Sequence, residues 1–408
     1  MDLTDNKIEL LSPAGEFESL VSALRFGADA VYIAGKEFGM RTASKNFDRE
    51  MLSDAVKTAH NAGKKLYITC NTVPKNSEIE RMPEYLEYLD SIGVDALIIA
   101  DLGVLSLAKK YAPHTEIHIS TQAGIVNYES AKMFYELGAN RVVLARELSF
   151  DDIAELRAKI PKELQIEAFV HGAMCVSFSG RCLISHYMTG RDANRGDCAQ
   201  PCRWKYHLYE ENREGQFFPV EEDDSGTFLY NSKDMCMIDY IPKLISVGIN
   251  SLKIEGRAKS SYYTSVVTNA YRHAIDDYLK DKENYVLKPW IKEELDKISH
   301  REYSTGFYLG TEPGQVLSNG GYIRNYGVVA ISDGTENGTV HLTQRNKFLV
   351  GDTLDVLPPS GVPFDIKVTQ LYNSKGEPCE SAPHAMEKLT MPCDIDIPEG
   401  SLLRKKLD

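Results

Sequence analysis

FGADAVYIAG, residues 26–35, holds the phrase from which the architecture is read. A Gly follows an amphipathic stretch, a short polar linker comes next, and a β-branched-rich apolar run follows. Gly accepts the left-handed backbone that closes a helix. The run after it reads as a strand apolar on both faces, as buried parallel strands are. The phrase returns as IGVDALIIAD (92–101), LGANRVVLAR (137–146) and VGINSLKIEG (247–256), with NAGKKLYITC (61–70) as a close variant. Strands of this kind along the chain are IELLSPAG, AVYIAG, KLYITCN, ALIIAD, EIHISTQ, RVVLARE, QIEAFVHG and SLKIEGR. Helical stretches such as FESLVSALRF and REMLSDAVKTAHNA separate them. Eight strands alternating with helices over about 260 residues predict an α/β fold, a TIM-like (β/α)8 barrel, against the alternative of a doubly wound open sheet.

The rhythm breaks once and then stops. The seventh strand ends near His171, and the next helix, around Asp234 to Ser246, is expected some sixty residues later. Loops this long inside a compact domain usually carry function or structure of their own. Beyond the eighth helix the pattern becomes all β, with NYGVVAIS, GTVHLTQR, GDTLDVLP and FDIKVTQLY as short strands split by Gly, Pro, Asn and Asp. The expected organisation is a barrel over 1–283 with an insert at about 175–230, a connector over 284–320 and a small all-β barrel over 321–408.

Charge and composition narrow the function. The 408 residues carry a formal net charge of −13, which argues against a protein that coats nucleic acid over its whole surface. Against that background Arg181, Arg191, Arg195, Arg203 and Lys205 face only Asp192 and Asp197 between residues 181 and 205. That segment reads either as a solvated loop or as an anion or RNA site. The first residues do not resemble a signal peptide, and no apolar run approaches the ~18 residues of a membrane span. A cytoplasmic protein is expected, with no membrane partner.

A barrel places its chemistry at the C-terminal ends of its strands. There the sequence has Arg146 and Glu147 after strand six, His171 after strand seven, and Lys253, Glu255 and Arg257 after strand eight. His171, Glu147 and Glu255 are candidates for proton transfer. Arg146, Lys253 and Arg257 could bind carboxylates, or pair internally with Glu147 and Glu255. Five of the eight cysteines, Cys175, Cys182, Cys198, Cys202 and Cys236, lie on the loop leaving strand seven or at the following helix. The pattern is C-x6-C-x15-C-x3-C with a fifth thiol downstream. A reducing compartment disfavours disulfides. A nucleophile does not explain the extra thiols, and a structural zinc site usually shows two tight CxxC pairs. Thiolates at irregular spacing also suit an iron–sulfur cluster; zinc and buried structural cysteines stay as alternatives.

The segments EAFVHGAMCVSFSGRCLIS (167–185), NRGDCAQPCRW (194–204), NSKDMCMIDYIP (231–242) and ELLSPAGEFESLVSALRFGADAVYIAG (9–35) closely resemble the collagenase-like peptidase family U32. Length and the C-terminal β segment look most like the branch of that family acting on tRNA. The resemblance implies a 4Fe–4S cluster and hydroxylation without molecular oxygen. It implies conversion of the wobble uridine to 5-hydroxyuridine, with prephenate, a small carboxylic acid, as co-substrate. Carried over to this chain, the cluster ligands would be Cys175, Cys182, Cys198 and Cys236, with Cys202 as the competitor of Cys236. Arg146, Lys253 and Arg257 would hold the acid, and the segment with Arg181 and Arg195 would hold tRNA, aided by Trp204. The alternatives are a ribosomal RNA cytidine hydroxylase, a collagenase-like peptidase and a zinc-stabilised RNA-binding module. The peptidase reading finds no HExxH and no G-x-S-x-G in the sequence.

Overall fold

The computed structural model describes residues 8–39, 45–175, 177–178, 182–193, 196–204, 222–223, 226–227, 233–311, 322–359 and 361–407. Strands β1 (Glu9–Pro13), β2 (Ala30–Ile33), β3 (Lys65–Cys70), β4 (Ala96–Ile99), β5 (Glu116–Ile119), β6 (Arg141–Val143) and β7 (Gln165–Ala173) pair side by side in chain order, all parallel. After a two-residue ribbon, β8 (Glu222–Asp223) and β9 (Gly226–Thr227), and a short β10 (Asp234–Cys236), comes β11 (Ser251–Ile254). It pairs in parallel with both β7 and β1 and closes an eight-stranded barrel.

Around it run α1 (Phe17–Arg25), α2 (Arg49–Asn61), α3 (Asn76–Ile79), α4 (Met82–Ser91), α5 (Leu102–Tyr111), α6 (Tyr128–Glu136), α7 (Phe150–Lys159), α8 (Ile184–Thr189), α9 (Ile241–Ser246) and α10 (Ser261–Lys280). The four repeated phrases work as read: Gly27, Gly93, Gly138 and Gly248 all sit at positive φ, between 79° and 102°. Each helix therefore ends where the left-handed residue turns the chain into the next strand. Helix starts are fixed as locally: the side chains of Asp48, Asp101, Asn127 and Ser149 accept the N–H three residues on.

The expectation of strands apolar on both faces needs correction. The outward faces pack on the helices in one large apolar core. The inward faces hold a small cluster, Leu11, Ala30, Tyr32, Tyr67, Ala96 and Ile98, above a polar floor. There Arg141 reaches across the barrel to Glu9 and also pairs with Glu167 at 3.0 Å. Glu167 takes Lys253 at 2.6 Å on its other oxygen, while Glu9 accepts from Tyr67 and Ser251. Burial pushes the Glu9 carboxyl up, but Arg141 and the hydrogen bonds outweigh it and hold it at about 2. The four charges come from strands far apart in sequence, so each looks like a lone polar residue in an apolar run until the barrel closes.

Helix α11 (Pro289–Asp296) and strand β12 (Tyr303–Ser304), which pairs with β10, lead to the C-terminal domain. Its strands are β13 (Tyr326–Glu336), β14 (Thr339–Gln344), β15 (Phe348–Leu349), β16 (Thr353–Leu357), β17 (Phe364–Lys367), β18 (Ser381–Ala382), β19 (Lys388–Pro392) and β20 (Leu402–Lys406). Six form one antiparallel sheet in the order β17-β16-β20-β13-β14-β19, a half-barrel over its own apolar core. The domain is clamped to the barrel by a buried cation. Arg404 on β20 grips Glu294 on α11 with two N–H groups, at 2.6 and 3.1 Å, and donates to Asp355 on β16 at 2.9 Å. Lys297 joins Glu294 and Asp355 from the other side.

Candidate functional site

The site begins with a bend in β7. Its register against β11 shifts between Lys253 and Ile254, and Gly172 adopts φ +109°. A Cβ at Gly172 would lie 2.5 Å from the Glu255 carbonyl oxygen, so only glycine fits. The bend carries Ala173, Met174 and Cys175 over the barrel mouth. They wall a cavity of about 650 Å³ together with strand-end residues, the cysteine loop and the segment entering β13.

Thiols line one side. Cys175, Cys182, Cys198 and Cys202 all border this cavity. The loop carrying them folds on itself: the buried Ser185 hydroxyl accepts the Ala199 N–H at 2.9 Å. Gln200 at φ +57° and a tight turn over Pro201–Arg203 bring Cys202 round beside Cys198. Backbone N–H groups already point at two sulfurs, Ile184 at Cys182 (3.4 Å) and Gln200 at Cys198 (3.3 Å). Such donors stabilise negative sulfur. Among the described residues no three His, Cys, Asp or Glu side chains converge tightly enough to hold a single metal ion. An all-thiol donor set spread round one cavity fits an iron–sulfur cluster in chemistry, and zinc less well.

Cations line the other side. Arg146, Lys253, Arg257, Lys259 and Arg324 border the cavity against two carboxylates, Glu147 and Glu255. A protein of net charge −13 thus presents a positive cavity, which concentrates anions. Arg146 lies 4.0 Å over the Phe169 ring, donates to the Ala173 carbonyl at 2.8 Å, and stands 3.9 Å from Glu255. The buried Arg257 donates to the Thr69 hydroxyl at 3.2 Å. Lys253 is spoken for by Glu167 and caps the floor, its ammonium 4.5 Å from the Tyr32 ring centre. Two of the three cations expected to bind a carboxylate are therefore placed for it, and the third is tied to the barrel interior.

His171 is not brought to the mouth. The bend turns it outward, where it packs against Tyr263, Tyr271 and Tyr303 at 5.4–6.0 Å between ring centres. Burial, aided by the His300 and Lys259 charges, drops its pKa to about 3 and keeps it neutral. Cys236 sits opposite His171, and not on a helix as expected: β10 pairs antiparallel with β7, Cys236 against His171. It does not border the cavity, and burial pushes its thiol up to about 12. Arg181 and Arg195 lie outside the described residues. Within the same segment Arg191 is paired with Asp197 at 2.8 Å.

Sequence reasoning did not select Lys259, Tyr322, Arg324 and Tyr326, all of which border the cavity. The alternation of aromatic and cationic residues in GYIRNYG (321–327) was their signal.

Residues 15–317 match the profile of peptidase family U32, and residues 324–404 that of the peptidase family U32 C-terminal domain. The chain is 38% identical to tRNA hydroxylation protein P1 of Bacillus subtilis (strain 168) over 98% of its own length and 95% of the relative's. It is 35% identical to the 23S rRNA 5-hydroxycytidine C2501 synthase of Escherichia coli (strain K12), covering 78% of this chain and 47% of that protein. It is 32% identical to a collagenase of Porphyromonas gingivalis, covering 76% and 75%.

Proposed function

The chain belongs to peptidase family U32, and from that premise we propose that it is an RNA-hydroxylating enzyme acting on a tRNA uridine. The observation that carries the reading is the pairing of four thiols with an excess of cations round one cavity at the mouth of the barrel. Full-length similarity to a tRNA hydroxylation protein supports tRNA over ribosomal RNA. A peptidase would need an activated nucleophile or a water-activating metal, and the cavity offers neither a Ser–His nor a Cys–His pair, since His171 faces away.

In this reading Cys175, Cys182 and Cys198 hold a 4Fe–4S cluster, with Cys202 or Cys236 as the fourth ligand. When bound, the cluster supplies redox and Lewis-acid chemistry at the mouth. The protein's own groups bind and orient. Arg146, already stacked and aimed, and Arg257 bind the carboxylates of a small acid, prephenate in the proposal. Glu147 and Glu255 border the same space and are the groups placed to move a proton. Lys253 and Glu167 neutralise each other beneath.

The test is nucleoside mass spectrometry of tRNA from cells with and without the gene, with iron and sulfide analysis of anaerobically purified protein. Loss of 5-hydroxyuridine on deletion, with about four irons per chain, is expected. Unchanged 5-hydroxyuridine in a strain without a second pathway overturns the reading.

A further inference from the structure

The cavity has a wall that chemistry on a small acid does not need. Arg146 and Arg257 stand at strand ends, deep in the mouth. Lys259 and Arg324 stand at its rim, where the barrel meets the C-terminal domain, and both converge on one residue. The Lys259 ammonium donates to the Ser299 carbonyl at 3.2 Å, and Arg324 Nε donates to the Ser299 hydroxyl at 3.5 Å. Among the described residues neither cation has a carboxylate within ion-pairing distance, whereas Lys253 and Arg191 do. Holding two like charges at one anchor is unfavourable unless an anion bridges them.

The same rim carries aromatic surface. Tyr322 is 40% exposed. Its ring lies 4.2 Å from the Lys259 ammonium, and its hydroxyl accepts from Arg301 at 3.1 Å. Tyr326 also borders the cavity. Two unneutralised cations beside two tyrosines match what a single-stranded RNA segment presents, phosphates alternating with flat bases. The wall is also rigid. Arg324 lies two residues before β13, which pairs along its length with β20, and β20 carries the Arg404 clamp.

We propose that Lys259, Tyr322, Arg324 and Tyr326 form the RNA clamp of this enzyme, the two cations holding a phosphodiester while a base next to the target uridine rests on the tyrosines. The inference rests on the proposed RNA-hydroxylase function and assigns to the barrel–domain junction the task of feeding the strand into the mouth.

The experiment measures binding of an unmodified anticodon stem–loop transcript carrying the target uridine to the full-length, cluster-loaded protein across a salt series. Wild type is compared with Lys259→Ala, Arg324→Ala and Tyr322→Ala, with iron content and thermal melting recorded for each. Each lost phosphate contact should lower the slope of log K against log salt by about 0.7–0.9. Tyr322→Ala should weaken binding roughly 5- to 100-fold, and Tyr322→Phe should restore most of it. Iron content and melting should stay at wild-type values. If wild type neither binds nor modifies the transcript, the RNA-hydroxylase reading itself fails. If wild type does both and the variants keep its affinity and salt slope, the clamp alone is wrong. If the variants instead raise only the KM of the small-acid co-substrate, the rim belongs to that ligand, which also overturns the clamp.

Discussion

Arg146 is held on three sides before any ligand arrives: Phe169 below, the Ala173 carbonyl beside it and Glu255 beyond. A guanidinium so restrained loses little freedom on binding a carboxylate, and lysine cannot copy its fork. Arg146→Lys should therefore raise the KM for the acidic co-substrate about 10- to 100-fold, the loss of a charged hydrogen bond, with iron content unchanged. A steady-state titration of the co-substrate checks this. His171 gives the opposite expectation. Removing a general acid or base costs about 100-fold or more, but a histidine ringed by tyrosines away from the cavity is a packing group. His171→Phe should keep turnover within a few fold of wild type. For the thiols, Cys175→Ala, Cys182→Ala and Cys198→Ala should each abolish the brown chromophore. Comparing Cys202→Ala with Cys236→Ala by iron analysis identifies the fourth ligand, since only one should bleach. The sequence made the cysteines legible by their grouping. It could not show that Cys236 faces Tyr271 and not the cavity, because that depends on which side of a three-residue strand a thiol occupies.

Barrel strands were readable because each repeats one local device, a left-handed glycine followed by an apolar run. Strand β10 was not, since three residues set no period. The polar floor was hidden for another reason: Glu9, Arg141, Glu167 and Lys253 sit on β1, β6, β7 and β11 and meet only when the barrel closes. Its consequence for stability has a definite sign. The Glu9 carboxyl lies near 2 in the folded protein and near 4.5 when free. Its contribution is thus complete above about pH 5 and is lost as the pH falls towards 2. Urea unfolding from pH 7 to pH 3 should show stability falling with acidity, and Arg141→Met should reduce that slope. The same variant should cost about 3–5 kcal/mol at neutral pH, because it strands buried carboxylates. Gly172→Ala tests the bend: with positive φ and the Glu255 carbonyl in the way, it should cost at least about 1–3 kcal/mol and displace Cys175 from the mouth, read as reduced iron content.

Across the molecule, the two domains act as one body because charge is buried between them. Arg404 has no exposed surface, and its carboxylate partners come from α11 and β16. Arg404→Met should uncouple the domains and split a single calorimetric unfolding transition into two. The change from βα to all-β grammar near residue 321 revealed the second domain in the sequence. Its contribution to the cavity was not visible there, because Tyr322, Arg324 and Tyr326 read as the tail of a connector until the clamp sets them over the mouth. The ion-paired floor has one more consequence. Arg141, Glu167 and Lys253 are all buried, so the barrel is stoppered at its base, and the cavity is a blind well with a single opening. Traffic must then be sequential: the small acid has to enter before the larger RNA lies across the opening, and its spent form can leave only after the RNA lifts away.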